Sequence, residues 1–176
     1  MVENDRDLVE RLQKPESRNA AFRELMSLYQ EKLYSHIRRM VGNHTDADDV
    51  LQNTFVKVYR YIDKFQGNSK LYTWVYKIAS NEALNHLNKE NRMRSVTFEP
   101  QHVRAGFQQG LDGEEISHKL KQAVATLPEK QRQVFDLKYF EEMKYEEIAE
   151  ITGTSVGGLK ASYYHAVKKI EEFLTG

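Results

Sequence analysis

Apolar residues fall at steps of three and four along both ends of this chain, and neither end shows the every-other-residue rhythm of a half-buried strand. There is no Asn-Gly hairpin signal either, so the pattern predicts an all-α protein. The helical rhythm fails once, between about Arg94 and Gly113, in RSVTFEPQHVRAGFQQGLDG. That stretch holds one of the three prolines and three of the nine glycines. Some twenty residues without a period are too many for an ordinary connection inside a compact domain. We therefore expect two small helical domains, residues 1–93 and 114–176, joined by a flexible linker over 94–113.

Composition excludes several function classes. A chain with 40% hydrophobic and 30% charged residues is soluble and globular, with a modest core or cores. No apolar run approaches the roughly 20 residues of a membrane helix. The start MVENDRDLVERL is acidic and amphipathic, unlike a signal peptide, so a cytoplasmic protein with no membrane insertion of its own is expected. The absence of cysteine removes disulfides, thiolate zinc sites and a Cys nucleophile, and the six histidines show no spacing such as HExxH. No metal and no cofactor are expected. No Ser-His-Asp order, phosphate-cradling glycine loop or dinucleotide fingerprint is present, and Glu141, Glu142, Glu146 and Glu147 read as a solvated helix face rather than an acid pair or metal site. The expectation is a protein that is not an enzyme. With 26 basic against 26 acidic residues the net charge is zero, so any surface for a polyanion must be local.

The C-terminal unit carries the sharpest motif, YEEIAEITGTSVGGLKASYYHAVKKI at 145–170. Ile148, Ala149 and Ile151 give a short helix its apolar face, Gly153 stands where the chain must turn with positive φ, and Thr154-Ser155 offers an N-cap to the next helix. In that second helix Val156, Leu159, Tyr163, Val167 and Ile170 face inward, while Lys160, Ala161, Tyr164, His165 and Lys168 share the opposite side. Ala149, Gly153 and Leu159 supply the small crossing residue, turn glycine and apolar anchor that a helix-turn-helix needs; a solvated helix face is the plainer alternative. Upstream, Ile116, Leu120, Ala123, Val124 and Leu127 mark one helix. Pro128 suits the first turn of another carrying Val134, Phe135, Leu137 and Phe140, which makes a four-helix unit. Lys144 stands where Ser or Thr would complete a capping box with Glu147, so that helix start is expected to lack a stabiliser.

In the N-terminal unit, Val50, Leu51, Phe55, Val58, Tyr59 and Ile62 form a helix face for burial, and Asp48, Asp49, Gln52 and Asn53 cluster near its start, where acids also suit the helix dipole. Further on, Trp74, Lys77, Asn81, Asn85 and Asn88 fall on one stripe, opposite Leu71, Val75 and Ile78 only in part. An indole, a cation and three amides offer stacking and base-edge hydrogen bonds, the two contacts that single-stranded DNA can use. A core role for Trp74 is the alternative. In the loop FQGNSKL, Gly67 frees the backbone and Asn68, Ser69 and Lys70 present donors; spacing alone reads it as a plain connector.

The run from Leu127 to Ile170 closely resembles region four of bacterial extracytoplasmic-function sigma factors, a branch of the sigma-70 family. DADDVLQNTFVKVYRYIDKF (46–65) and QGNSKLYTWVYKIASNEALNHLNKENR (66–92) resemble the polymerase-binding helix and the strand-engaging loop and helix of region two. The resemblance implies an alternative sigma factor that binds core RNA polymerase and directs promoter-specific transcription initiation. By this likeness Asp48, Asp49, Gln52 and Asn53 dock on the polymerase. Asn68, Ser69 and Lys70 capture a flipped promoter base, while Trp74, Lys77, Asn81, Asn85 and Asn88 engage the minus-ten element and melted strand. Ser155, Gly158, Lys160, Ala161, Tyr164, His165 and Lys168 read the minus-thirty-five element. Promoter DNA, duplex and melted, and an anti-sigma factor are the further partners implied. The sequence departs from the family pattern in a recognition helix poor in arginine, so the isolated C-terminal unit is expected to hold DNA weakly. Two other classes remain open: a dimeric helix-turn-helix DNA-binding regulator that is not a polymerase subunit, against which the stripe speaks, and a helical interaction module, for which the thin charge argues.

Overall fold

Four helices build the N-terminal unit: α1 (Glu3–Gln13), α2 (Arg18–Val41), α3 (His44–Tyr61) and α4 (Leu71–Thr97). Four more follow: α5 (Glu115–Ala125), α6 (Glu129–Phe135), α7 (Tyr145–Thr152) and α8 (Val156–Thr175). The computed structural model describes residues 3–97 and 115–176, and no strand occurs among them. Most of the expected linker, from 98 on, lies outside the described residues; its first four residues extend α4. None of the described helices is long and apolar enough to cross a membrane.

Local chemistry accounts for the helix ends. Gly42 closes α2 at φ 91°, a left-handed conformation that only glycine adopts cheaply, and its N–H donates to the Arg38 carbonyl. The Asn43 side chain then starts α3 by accepting from the Asp46 backbone N–H at 2.8 Å. A 3₁₀ turn, Ile62–Lys64, ends α3. In the second half Pro128 is the N-cap of α6, one place before its first turn.

One face of α3 is buried as expected at Val50, Phe55 and Val58, with Ala47 and Thr54 added; Ile62 is buried in the 3₁₀ turn that follows, and Leu51 is half-buried. Tyr59 departs from the expectation: it is 38% exposed. It lies on the flank of the buried face, its ring edge-on to Phe22 at 5.0 Å and its hydroxyl donating to Asn19 Oδ1 at 2.9 Å, so packing and a hydrogen bond leave one side in water.

The two units share their principal core. Leu25, Leu33, Ile37, Leu71 and Val75 of the first pack in one cluster with Val134, Leu137, Met143, Ile148, Ile151 and Leu159 of the second. A smaller cluster, Ala123, Val124, Leu127, Phe135, Ala166 and Ile170, belongs to the second unit alone. Between α6 and α7 the chain makes a π-helical turn, Asp136–Phe140, which no residue pattern announces and which brings the fully buried Asp136 against the first unit.

Candidate nucleic-acid interface

The α7–α8 pair is a helix-turn-helix assembled from the predicted parts. Gly153 sits at φ 69° and its N–H donates to the Ala149 carbonyl at 2.9 Å. The Ser155 hydroxyl caps α8 by accepting from the Gly158 N–H at 3.2 Å. Ile148 and Leu159 are fully buried beneath the turn. The expected deficit at the start of α7 is half made good: a Lys side chain accepts nothing, but Glu147 Oε2 accepts from the Lys144 N–H at 3.0 Å, the reciprocal half of a capping box. Lys160, Ala161, Tyr164, His165 and Lys168 are all exposed on the outer side of α8. The Lys160 ammonium lies 5.8 Å from the centre of the Tyr145 ring and that of Lys168 5.8 Å from the Tyr164 ring, so the cations rest on aromatic faces.

On α4, Lys77, Asn81, Asn85 and Asn88 form an exposed row, while Val75, Ala79, Ala83 and Leu87 are buried on the other side. Trp74 is half-buried: its ring packs on Phe65 at 5.3 Å, and it precedes the row on the same helix. On α3, Asp48, Asp49, Gln52 and Asn53 are exposed, and beside them Val56 is 57% exposed, an apolar residue the sequence reading did not single out.

The loop before α4 is more enclosed than expected. Gly67 takes φ 72°, Asn68 is exposed, and Ser69 is half-buried. Lys70 Nζ donates to Glu147 Oε1 of α7 at 2.8 Å. Gly67, Asn68, Ser69, Lys70 and Thr73 face Glu147 and Glu150 across a cleft of about 260 Å³. Burial works to raise the Glu147 carboxyl, but hydrogen bonds from Lys70, Tyr72 and the Lys144 backbone, with the Lys70 charge, hold it below the usual carboxylate range.

The expectation of a solvated acidic face therefore fails for half of its members. Glu142 and Glu146 are exposed, but Glu141 and Glu147 are drawn into the seam between the units. Arg39 of α2 donates from Nε to Asp136 and from Nη2 to Glu141 Oε1 at 2.6 Å; the Tyr76 hydroxyl of α4 donates to Glu141 Oε2 at 2.6 Å. His36 Nδ1 bonds Asp136, and its Nε2 lies 2.9 Å from Ser80 Oγ. Burial first, and then the bond to Glu141, push the Tyr76 hydroxyl far above its ordinary pKa. Arg132 of α6 adds a clamp, reaching the carbonyl of Met40 at 3.2 Å and those of Ala125 and Leu127 at 3.0 and 3.1 Å. The sequence reading missed this seam. Its one signal was polar residues, His36 and Asp136, placed among apolar ones.

Elsewhere α3 and α4 bring Asp46, His86 and Glu90 together, their donor atoms within 4.8 Å of one another. His86 Nε2 stands 3.2 Å from Asp46 and 3.7 Å from Glu90.

Comparison with known proteins agrees with this geometry. Residues 25–93 match the family model Sigma-70 region 2, and residues 117–170 match Sigma-70, region 4. The chain is 35% identical to the RNA polymerase sigma-H factor of Pseudomonas aeruginosa, over 98% of this chain and 94% of that protein. It is 36% identical to the ECF RNA polymerase sigma-E factor of Escherichia coli, over 95% and 92%. In fold it is similar to sigma factor RpoE of Bartonella quintana, solved with the anti-sigma factor NepR, at a TM-score of 0.77 and 24% identity over 88% of this chain and 96% of that one. It is also similar to CnrH, solved with the cytosolic domain of CnrY, at a TM-score of 0.74 and 20% identity over 98% of each chain. The α3–α4 surfaces fall within the first matched region and the helix-turn-helix within the second, and the chain belongs to the extracytoplasmic-function group of the sigma-70 family, as an alternative sigma factor of RNA polymerase.

Proposed function

We propose that this sigma factor divides its work among three exposed surfaces. Asp48, Asp49, Gln52 and Asn53, with Val56 beside them, dock α3 on core RNA polymerase, a polar rim around an apolar contact being a common interface anatomy. Asn68, Ser69 and Lys70, with the row Trp74, Lys77, Asn81, Asn85 and Asn88, engage the downstream promoter element and its melted strand. Ser155 and the backbone N–H of Gly158 sit at the start of α8, where the helix dipole favours a phosphate, while Lys160, Ala161, Tyr164 and His165 face base edges and Lys168 faces the backbone of the upstream element. The protein performs no catalysis of its own; the chemistry of initiation belongs to the polymerase, and its place is the cytoplasm. An anti-sigma factor as a further partner is supported by the likeness to RpoE, which was solved with one.

The observation that carries this reading is the exposed row on α4. Three amides and a cation stand in water beside a half-buried indole, on a helix whose other side is used in packing, and asparagine there lowers helix propensity without contributing to the core. The deciding experiment is initiation in a purified system, with core polymerase and this chain on templates drawn from the host genome. Discrete start sites that appear only with the chain are expected; their absence refutes the reading.

A further inference from the structure

The side-chain contacts to carboxylates that close the two units on each other run one way, although Arg132 of the second unit donates to the Met40 carbonyl of the first. Donors come from the first unit, namely His36, Arg39, Lys70, Tyr76 and Asn91, and carboxylates come from the second, namely Asp136, Glu141, Glu147 and Glu129. Lys70 and its loop, proposed above to hold the promoter strand, are thus already occupied by acids of α7. Glu147 meets Lys70 at 2.8 Å, and Glu150 and Thr73 also line the cleft, Thr73 being 2% exposed with a hydroxyl that finds no hydrogen-bond partner of good geometry. A carboxylate on a lysine ammonium presents the same charge and acceptor oxygens that a phosphate or a base edge would bring. Both cannot fill the cleft at once.

We propose that α7 is an internal competitor of the promoter strand: its acidic edge, Glu147 and Glu150, occupies the strand-binding loop of the free chain and must leave before single-stranded DNA enters. This inference rests on the proposed role of the loop. It makes the helix-turn-helix unit a reader of duplex DNA and, when unengaged, a cover for the melting site, so that strand binding and separation of the units are coupled. The competitor also serves its own helix, since Glu147 caps α7 through the Lys144 N–H; glutamine keeps that cap and loses the charge.

The test uses the full chain. Because it contains no cysteine, Lys32→Cys in α2 and Lys169→Cys in α8, both at exposed positions, give unique sites for a donor–acceptor dye pair that reports whether the units are together. The probe is a mixed-sequence single-stranded DNA of about 16 nucleotides, the upper end of the site sizes over which single strands track along binding grooves. The doubly substituted Glu147→Gln/Glu150→Gln chain should bind it about tenfold more tightly than the parent, as expected when the competent state is no longer a minor one. Glu171→Gln/Glu172→Gln, the same charge change on exposed residues of α8, should leave binding unchanged. Adding the probe to the labelled parent should lower energy transfer along the binding curve. No gain in the first variant, an equal gain in the second, or binding by the parent with transfer unaltered would each overturn the proposal. Initiation by the parent chain with core polymerase, run in parallel, separates the failures: a chain that initiates but shows no competition loses only this inference, and one that does not initiate loses the functional reading beneath it.

Discussion

Three glycines around the turn of the helix-turn-helix differ in what they are for. Gly153 sits at φ 69°, where any L side chain is strained, so Gly153→Ala should cost about 1–2 kcal/mol although its Cβ would meet open space. Gly157 has neither constraint: nothing lies within 4 Å of an added Cβ and its backbone is helical. Gly157→Ala should therefore stabilise by about 0.5–1 kcal/mol through the entropy of the unfolded chain. At Gly158 an added Cβ would come within 3.2 Å of Thr154 Cγ2 and 3.3 Å of the capping Ser155 Oγ, which offsets the same gain. Urea midpoints of the three variants should rank Gly157→Ala above the parent and Gly153→Ala below it. Gly153 and Ser155 were legible in the sequence because turn and cap chemistry is local. The open space at Gly157 was not, since it depends on what the fold leaves unpacked.

Helices separate side chains by side, and the two proposed DNA-facing helices make opposite demands on a substitution. On α8, Lys160 is proposed to face base edges, and Lys168, two turns further along the helix, the phosphate backbone. Lys160→Ala should cost about 1–3 kcal/mol on the preferred upstream element and relax preference at one position; Lys168→Ala should weaken all sequences alike and reduce the salt slope by about one. Titration of duplex binding by holoenzyme against salt, on cognate and scrambled sites, reads both. On α4, Asn81 is exposed and outside the core, so Asn81→Ala should slow open-complex formation more than initial promoter binding, with equal losses at both steps arguing for general damage. These helix faces were readable from spacing because period and burial coincide along a regular helix. The π-helical turn Asp136–Phe140 was not: its extra residue per turn shifts the register of the segment, and nothing in DLKYF marks the shift.

The whole molecule is held by a polar seam that periodicity could not reveal. Helical spacing shows that His36 and Asp136 fall among apolar neighbours, but their partners stand about a hundred residues away in sequence and come together only when both units are folded. The sequence supported two units with separate periods, and the folded chain joins them through a shared core and this seam. Asp136 is its centre, accepting from both His36 and Arg39 in full burial. Asp136→Ala takes one of two carboxylates from the part-buried Arg39, which keeps Glu141, and leaves His36 Nδ1 without its partner; it should cost about 3–5 kcal/mol of stability, while Asp136→Ala combined with Arg39→Met should recover part of that loss, because removing both members of a pair costs less than removing one. Thermal unfolding of the two chains distinguishes the seam from simple cavity formation, which the second substitution would not repair.

At the rim of the same seam, Lys70 and Glu147 tie the units by a contact that pH should govern. The Glu147 carboxyl is held below its usual value by bonds from Lys70, Tyr72 and the Lys144 N–H that outweigh its burial, so its contribution is complete above the unfolded carboxylate range and disappears as pH falls through the depressed folded value. The Lys70 ammonium is raised, first by its bond to Glu147, so its contribution is complete below the ordinary lysine range and lost only as pH rises beyond it. The tie should therefore be constant from about pH 5 to pH 10 and fail in acid. Exposed Glu146 and Glu150 and half-buried Tyr72 are the other titratable groups beside it. The measurement is the difference in unfolding midpoint between the parent and Glu147→Gln across that range. It should be level from about pH 6 to pH 9 and, with the scan extended into acid, shrink as pH falls below the ordinary carboxylate range toward the depressed folded value. A difference that persists undiminished at low pH would mean that it does not arise from the Glu147 charge on Lys70.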